Sequence, residues 1–330
     1  HSVTIVHPPH LALIVHSQVK TDKIAAYHLA RLLAKELLES IWVPPQDVRD
    51  LRTLVGQRNK MIRLKTQVKN RLQGVLHRYS LPVPEGPLFD AEQRDWWKAL
   101  PVSKLEKVRV LSDLAALDFA LEQIQQLETH FAEWAAQDER IPRLFEISGL
   151  GLVTAVTLLA AIGDITRFPT QDHLVGYAGL GARVHVSGMT NHTGGITKTG
   201  RSEMRAVLVE AAQVAVLHDT RWKAELERLE PHIGRNKAIV AIARKMLVAV
   251  WFLLHEQVAE KHLNLERVAR KYYEFAYTVG KDNWGDCKSA VEFIRQKLDQ
   301  AGIGQDMASF IYSRKKVELP PSKLPVAANK

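Results

Sequence analysis

Cysteine is almost absent: Cys287 is the single example among 330 residues. That excludes a disulfide framework and any zinc site built from several thiolates, and it fits a reducing compartment. No secretory signal opens the chain, and the first residue is His1 rather than methionine, so a trimmed or fragmentary protein is expected. Long uninterrupted apolar runs are also missing. The stretches 150–162 and 239–254 are short or interrupted by Arg244 and Lys245, and no membrane span is expected from them. Acidic side chains are in deficit, with 36 Asp and Glu against 45 Lys and Arg, a net charge of +9 and a pI near 9.5. Such a balance suits a polyanionic partner without separating DNA, RNA and an acidic membrane.

What is abundant is local. Residues 176–200, GYAGLGARVHVSGMTNHTGGITKTG, form a glycine-rich stretch with one isolated serine, Ser187, ahead of a helical pattern. Glycine lets main-chain N–H groups approach an anion closely. Lys198, Arg201 and Arg205 crowd the start of the following helix, where the backbone already favours phosphate. The stretch is not a Walker A loop, because Thr197 precedes Lys198, and Ser187 lacks the glycine two positions earlier that a hydrolase elbow requires. Two readings stand: a nucleophile towards phosphorus, and a hairpin turn whose serine caps the backbone. In an extended segment His185 would share a face with Ser187, and it is the better candidate for polarising the serine than His218, which with Asp219 closes a helix.

Along the chain, 3–6 and 11–15 read as two short strands or as a strand and an extended link, and Thr21 or Asp22 caps a helix. Pro44 and Pro45 precede a long basic helix over about 48–79 that includes Arg58, Arg63 and Lys69. Like charges at this density repel unless a phosphate backbone neutralises them, while an apolar stripe from Leu51 to Leu76 offers packing. A bundle helix with a solvated basic face and a nucleic-acid contact are both open. Residues 81–101 read as a linker around a short helix. Leu114, Leu117, Leu121, Ile124, Leu127, Phe131 and Trp134 then predict a coiled-coil arm, a bundle helix or a dimer contact. The segment 147–162, ISGLGLVTAVTLLAAI, resembles a helix-hairpin-helix module in which Gly149 and Gly151 would expose N–H groups to DNA phosphate. A last amphipathic helix is expected near 290–301, and the segment 315–330 reads as disordered.

The ordered series ISGLGLVTAVTLLAAIGDITRF, GYAGL, the Ser187-Gly188 pair, ITKTG and the helix after it resembles the serine-bearing domain of the Asp-Glu-Asp-Asp insertion-sequence transposases. These are the bridge-RNA-guided recombinases, a group that includes the pilin-gene invertases. The resemblance implies a mainly α protein in four parts. A remnant of an α/β RuvC-like (RNase H-like) domain with the basic helix spans 1–80, and a linker with a helical or coiled-coil arm spans 81–144. The transposase domain with its helix-hairpin-helix spans 145–260, and a helical extension with a disordered tail spans 261–330. It also implies a DNA transposase or site-specific recombinase, with Ser187 as the nucleophile that forms a phosphoserine link. Mg2+ would be the cofactor. DNA, a guide RNA and a second copy of the chain would be partners, and no membrane; the expected location is the bacterial or archaeal cytoplasm, at the nucleoid. The family's Lys-Thr-Asp-x-x-Asp-Ala pattern matches at Asp22, but Ala25 replaces its second metal-binding aspartate and the earlier acidic ligands would precede His1. Only Asp22 of that set is present, so an impaired metal site is expected, and the alternative is a non-catalytic helix-hairpin-helix scaffold.

Overall fold

The computed structural model describes residues 5–6, 21–38, 40–187, 190–258, 260 and 262–325, with backbone alone for 184–187 and 190–193. The strands expected at 3–6 and 11–15 fall almost wholly outside these residues. Helix dominates, as expected, and the chain divides into two compact units, 1–50 and 51–330.

In the first unit, α1 (Asp22–Ala34) starts where the Thr21 hydroxyl accepts the Ile24 N–H, so Thr21 is the cap and Asp22 the first helical residue. Helix α2 (Gln46–Arg78) follows Pro45, whose ring has no N–H to lose at a helix start.

From Leu51 onwards α2 belongs to the second unit, and its apolar stripe finds a partner. After the short α3 (Arg94–Lys98), α4 (Lys104–Gln137) begins at a Ser103 cap and returns alongside α2. Ion pairs Arg58–Glu128, Arg71–Asp113 and Arg78–Glu106 fall in descending order on α4 as they ascend α2, so the two helices are antiparallel. Each is about 50 Å long at 1.5 Å per residue. Near the turn, Val68, Leu72 and Val75 pack on Val110, Leu114 and Leu117, sealed by Trp97. Towards the other end Leu51, Val55, Phe131 and Ala135 enter a second, larger core. The arm is therefore a helical hairpin held at both ends.

The larger core surrounds α6 (Leu152–Ile162), which has no charged residue and is buried from Ala155 to Ile162. A helix apolar on every side must sit inside. Around it pack α4, α5 (Arg140–Phe145) and α8 (Ser202–His218); α10 (Arg235–His255) lies against α7 (Gln171–Ala178), α8 and α9 (Thr220–Ile233). Helix α10 is continuous through Arg244 and Lys245, and by length and composition it could cross a membrane. Half of its apolar window is buried inside the protein, and Val250, Leu247 and Met246 are core residues. Helices α11 (Leu265–Val279) and α12 (Ala290–Ala301) close the unit.

The expected disorder from 315 is corrected over its first part. Lys315–Glu318 (β4) pairs with Ser309–Tyr312 (β3), and Phe310 and Leu319 are buried. The physical reason is Arg295: buried on α12, it satisfies its guanidinium on the carbonyls of Gly304, Met307 and Pro320, so the chain that follows must stay in place.

Candidate nucleic-acid interface

The glycine-rich stretch folds as an antiparallel hairpin, β1 (Ala182–Ser187) with β2 (Thr190–Ile196), between α7 and α8. His185 pairs with His192 and Ser187 with Thr190, which sets the serine at the end of the ladder remote from the helices. The base is stitched to the helical body by main-chain bonds: Thr197 N–H to Gly181 O, Lys198 N–H to Gly179 O, and Arg201 N–H to Tyr177 O. Two glycines are required here for packing. A Cβ on Gly179 would stand 2.0 Å from Thr199 O, one on Gly200 would stand 2.2 Å from Tyr177 O, and both have positive φ. The hairpin therefore leaves α7 and enters α8 through two backbone crossings that no side chain could share.

Of the three basic residues expected to hold phosphate, Lys198 is exposed, with φ +57, and makes no ion pair among the described residues. Arg201 donates to the Tyr177 hydroxyl at 3.0 Å and to Glu203 at 3.2 Å. Arg205 donates to Ala178 O at 2.8 Å, closing the end of α7. Lys198 presents its charge outward, while the two arginines hold the base of the hairpin.

Beneath them is a cluster the sequence did not announce. The last carbonyls of α6 are buried, and they are met by guanidinium groups: Arg52 on Ala160 O and Ala161 O, Arg167 on Ile162 O, and Arg140 on Gly163 O. Cations at a helix C-terminus are doubly favourable, supplying donors and opposing the dipole. The Tyr177 ring lies 4.4 Å from the Arg167 guanidinium. Burial works to raise the Tyr177 pKa, but hydrogen bonds from Arg201 and Arg167 outweigh it and hold the phenol below its usual range. The only sequence signal was basic residues scattered over more than a hundred positions, and their convergence is a property of the fold.

Gly149 has φ +86, and a Cβ there would stand 2.2 Å from Ala211 O, so this glycine lets the loop between α5 and α6 press against the backbone of α8. Gly151 is exposed, with open space around it, and caps α6 without a side-chain hydrogen bond. Within the pair, then, Gly149 serves packing and Gly151 lies at the accessible start of α6. The same loop is held from α11, where Lys271 donates to Phe145 O and Ile147 O at 2.7 Å each; burial lowers its pKa to about 7. Asp219 caps α9 and pairs with Arg267, so the His218-Asp219 pair closes one helix and opens the next.

On α2, the predicted repulsion between basic residues is relieved from within. Arg58, Arg71 and Arg78 are paired to α4, and Lys69 lies 4.7 Å from the Phe89 ring. Arg63, with Lys60, stays exposed and makes no ion pair among the described residues. Asp22 is exposed on the first turn of α1. No group of three or more His, Cys, Asp or Glu among the described residues could hold a metal ion. With alanine at position 25, the residues around Asp22 do not fit a Mg2+ site, which needs several oxygen ligands.

Comparison with known proteins matches two stretches of the chain. Residues 141–227 match a domain described as "Transposase IS116/IS110/IS902 family", and residues 1–81 match a second family described as "Transposase". The pilin gene-inverting protein of Moraxella bovis is 30% identical over 264 residues, covering 78% of this chain and 73% of that protein. The transposase for insertion sequence element IS1111A of Coxiella burnetii is 27% identical over 270 residues, 77% of this chain and 71% of that one. The transposase for IS1328 of Yersinia enterocolitica is 24% identical over 272 residues, 76% of each.

Proposed function

Because this chain belongs to the IS110/IS116/IS902 family of transposases, we propose that it cuts and rejoins DNA strands through Ser187, at the end of the β1–β2 hairpin. Transposase or recombinase action on DNA comes with the family. The serine, and the surfaces that hold the strand, are the finer reading.

The observation that supports it is the way the hairpin is built. A nucleophile that must act on a phosphodiester needs a fixed approach to phosphorus and access to a bulky polymer. The ladder ending at Ser187 is anchored at its base by two glycine crossings and by Arg201 and Arg205, and it extends from that anchor. In the reaction, Ser187 Oγ loses its proton and bonds to phosphorus, and the bond from phosphorus to one sugar oxygen breaks. That oxygen leaves as a hydroxyl after taking up a proton. Attack by a strand hydroxyl on the phosphoserine reverses the exchange and restores the serine. His185, two residues earlier on the same strand, is the proton acceptor in this scheme. Phosphodiester bonds are exchanged one for one, so rejoining needs no nucleotide cofactor. No step is routed through a metal ion, since the residues described do not fit one.

Lys198, with the exposed Lys60 and Arg63, supplies charge for DNA or guide-RNA phosphates. The apolar residues Leu105, Val108, Leu111 and Phe119 are exposed along α4 and offer a second copy of the chain a helical face to pack on. The test is strand cleavage and rejoining on element-end DNA by the wild type and by Ser187→Ala. Loss of both activities with DNA binding retained supports the serine. Activity retained in Ser187→Ala overturns it, and binding without cleavage in either protein favours the non-catalytic scaffold.

A further inference from the structure

A cavity of about 720 Å³ opens beside the base of the hairpin, between β1–β2 and the start of α10. Its floor is apolar, formed by Leu180, Ile196, Val240 and Ala241, and its exposed rim carries Arg183, Lys198, Lys237 and Arg244 with Ile233. A second hollow of about 400 Å³ shares Leu180, Ile196, Lys198 and Val240 with it, so the two form one groove. Among the described residues, no acidic residue lines the larger cavity, and Glu210 is the one acid lining the smaller. Lys198 and Lys237 make no ion pair among the described residues, and the Arg244 contact to Asp172 is long, at 3.5 Å.

Gly194 and Gly195 line the same cavity at a β-bulge, where the ladder steps from Val184–Thr193 to Ala182–Ile196 and the two glycines stand opposite Arg183 alone. Neither has a positive φ, and a Cβ on Gly195 would meet nothing within 4 Å; on Gly194 it would make ordinary contact with Arg183 at 3.5 Å. This sets them apart from Gly179 and Gly200. The bulge accounts for glycine in this strand, and the absence of side chains also leaves the backbone open on the cavity side.

We propose that this groove seats an unpaired nucleotide of the DNA strand on which the protein acts, the base against the apolar floor and the flanking phosphates on the cationic rim. The inference rests on the transposase reading and adds a subsite to it. The volume is that of a small-molecule site, roughly 300–1,000 Å³. A duplex would present only phosphates to the rim and leave the floor unused, since its bases are stacked. An unstacked base has an apolar face to bury, and side chains of this kind hold extruded bases elsewhere. Lys198, expected from the sequence to meet phosphate, then acts at the mouth of this groove.

The experiment is binding of a fluorescein-labelled single-stranded DNA oligonucleotide, its duplex and the RNA of the same sequence. All are measured by anisotropy across a salt series in a Ser187→Ala background, which removes the chemistry. The expected result is tighter binding of single-stranded DNA than of duplex, a loss of about tenfold for Gly195→Trp, and a salt slope smaller by about 0.7 for Lys237→Ala. Gly195→Trp fills the groove from an exposed strand, and unchanged circular dichroism and melting confirm that it folds. Lys237→Ala is an exposed, unpaired position that leaves the floor intact. Equal binding of single strand and duplex, or no response to either substitution, overturns the proposal, and RNA bound more tightly than DNA overturns the assignment to DNA. Failure of the serine chemistry shows instead in the cleavage assay, so the two readings fall separately.

Discussion

Single residues decide where the backbone can pass. Gly149 is pressed against α8 with φ +86. Alanine there is predicted to cost about 2–5 kcal/mol, the sum of left-handed strain and overpacking, measurable as a lower midpoint in urea. The same substitution at Gly151, which faces open space, is expected to change stability by less than about 1 kcal/mol. From the sequence the two glycines looked equivalent, because a glycine's neighbours in space are not its neighbours in the chain. Glu225 gives a second residue-level test. Hydrogen bonds from Arg228 and Lys245, working against slight burial, lower its pKa from 4.5 to about 2. A depressed carboxylate stabilises the fold fully above its unfolded value and loses that contribution as pH falls through the folded one. Stability measured by denaturant titration is therefore predicted to fall between about pH 4.5 and 2 through this group, and Glu225→Gln is predicted to lose that part of the slope.

Among the elements, the α2–α4 hairpin is where the sequence was most readable and where one inference from it changed. Proline at its start and the periodic stripe on each helix are local signals, and both helices run through the stretches these mark. The basic face of α2 was ambiguous, because a charge pattern on one helix does not reveal which acids will face it. Asp113, Glu106 and Glu128 do so, from 28 to 70 residues away. Asp113 is buried, and its second carboxylate oxygen has no partner. Arg71→Ala is predicted to cost about 1–3 kcal/mol by leaving that carboxylate uncompensated. Replacing both residues, Arg71→Met with Asp113→Leu, is predicted to recover most of the loss, and chemical denaturation of the three variants measures the cycle. Helix α11 gives bounds to part of the expected helical extension, and the order of strand β4 is not legible locally because it depends on the carbonyls that Arg295 requires.

At the scale of the whole molecule, the candidate site joins what was legible with what was not. The glycine-rich hairpin, Ser187 and Lys198 stood out in one continuous stretch. The arginines that cap α6 and brace Tyr177, and the groove bounded by α10, come from residues 52, 140, 167 and 233–244, and only the fold brings them there. The central claim is that Ser187 exchanges phosphodiester bonds, and Tyr177, a hydroxyl of lowered pKa among the arginines at the base of the hairpin, offers a built-in control. The most direct measurement is to trap the protein on element-end DNA, digest both polymers and locate the nucleotide adduct by mass spectrometry. The account predicts an adduct on the peptide containing Ser187 that disappears in Ser187→Ala and persists in Tyr177→Phe. An adduct on Tyr177, or one unaffected by removal of the serine hydroxyl, would contradict it.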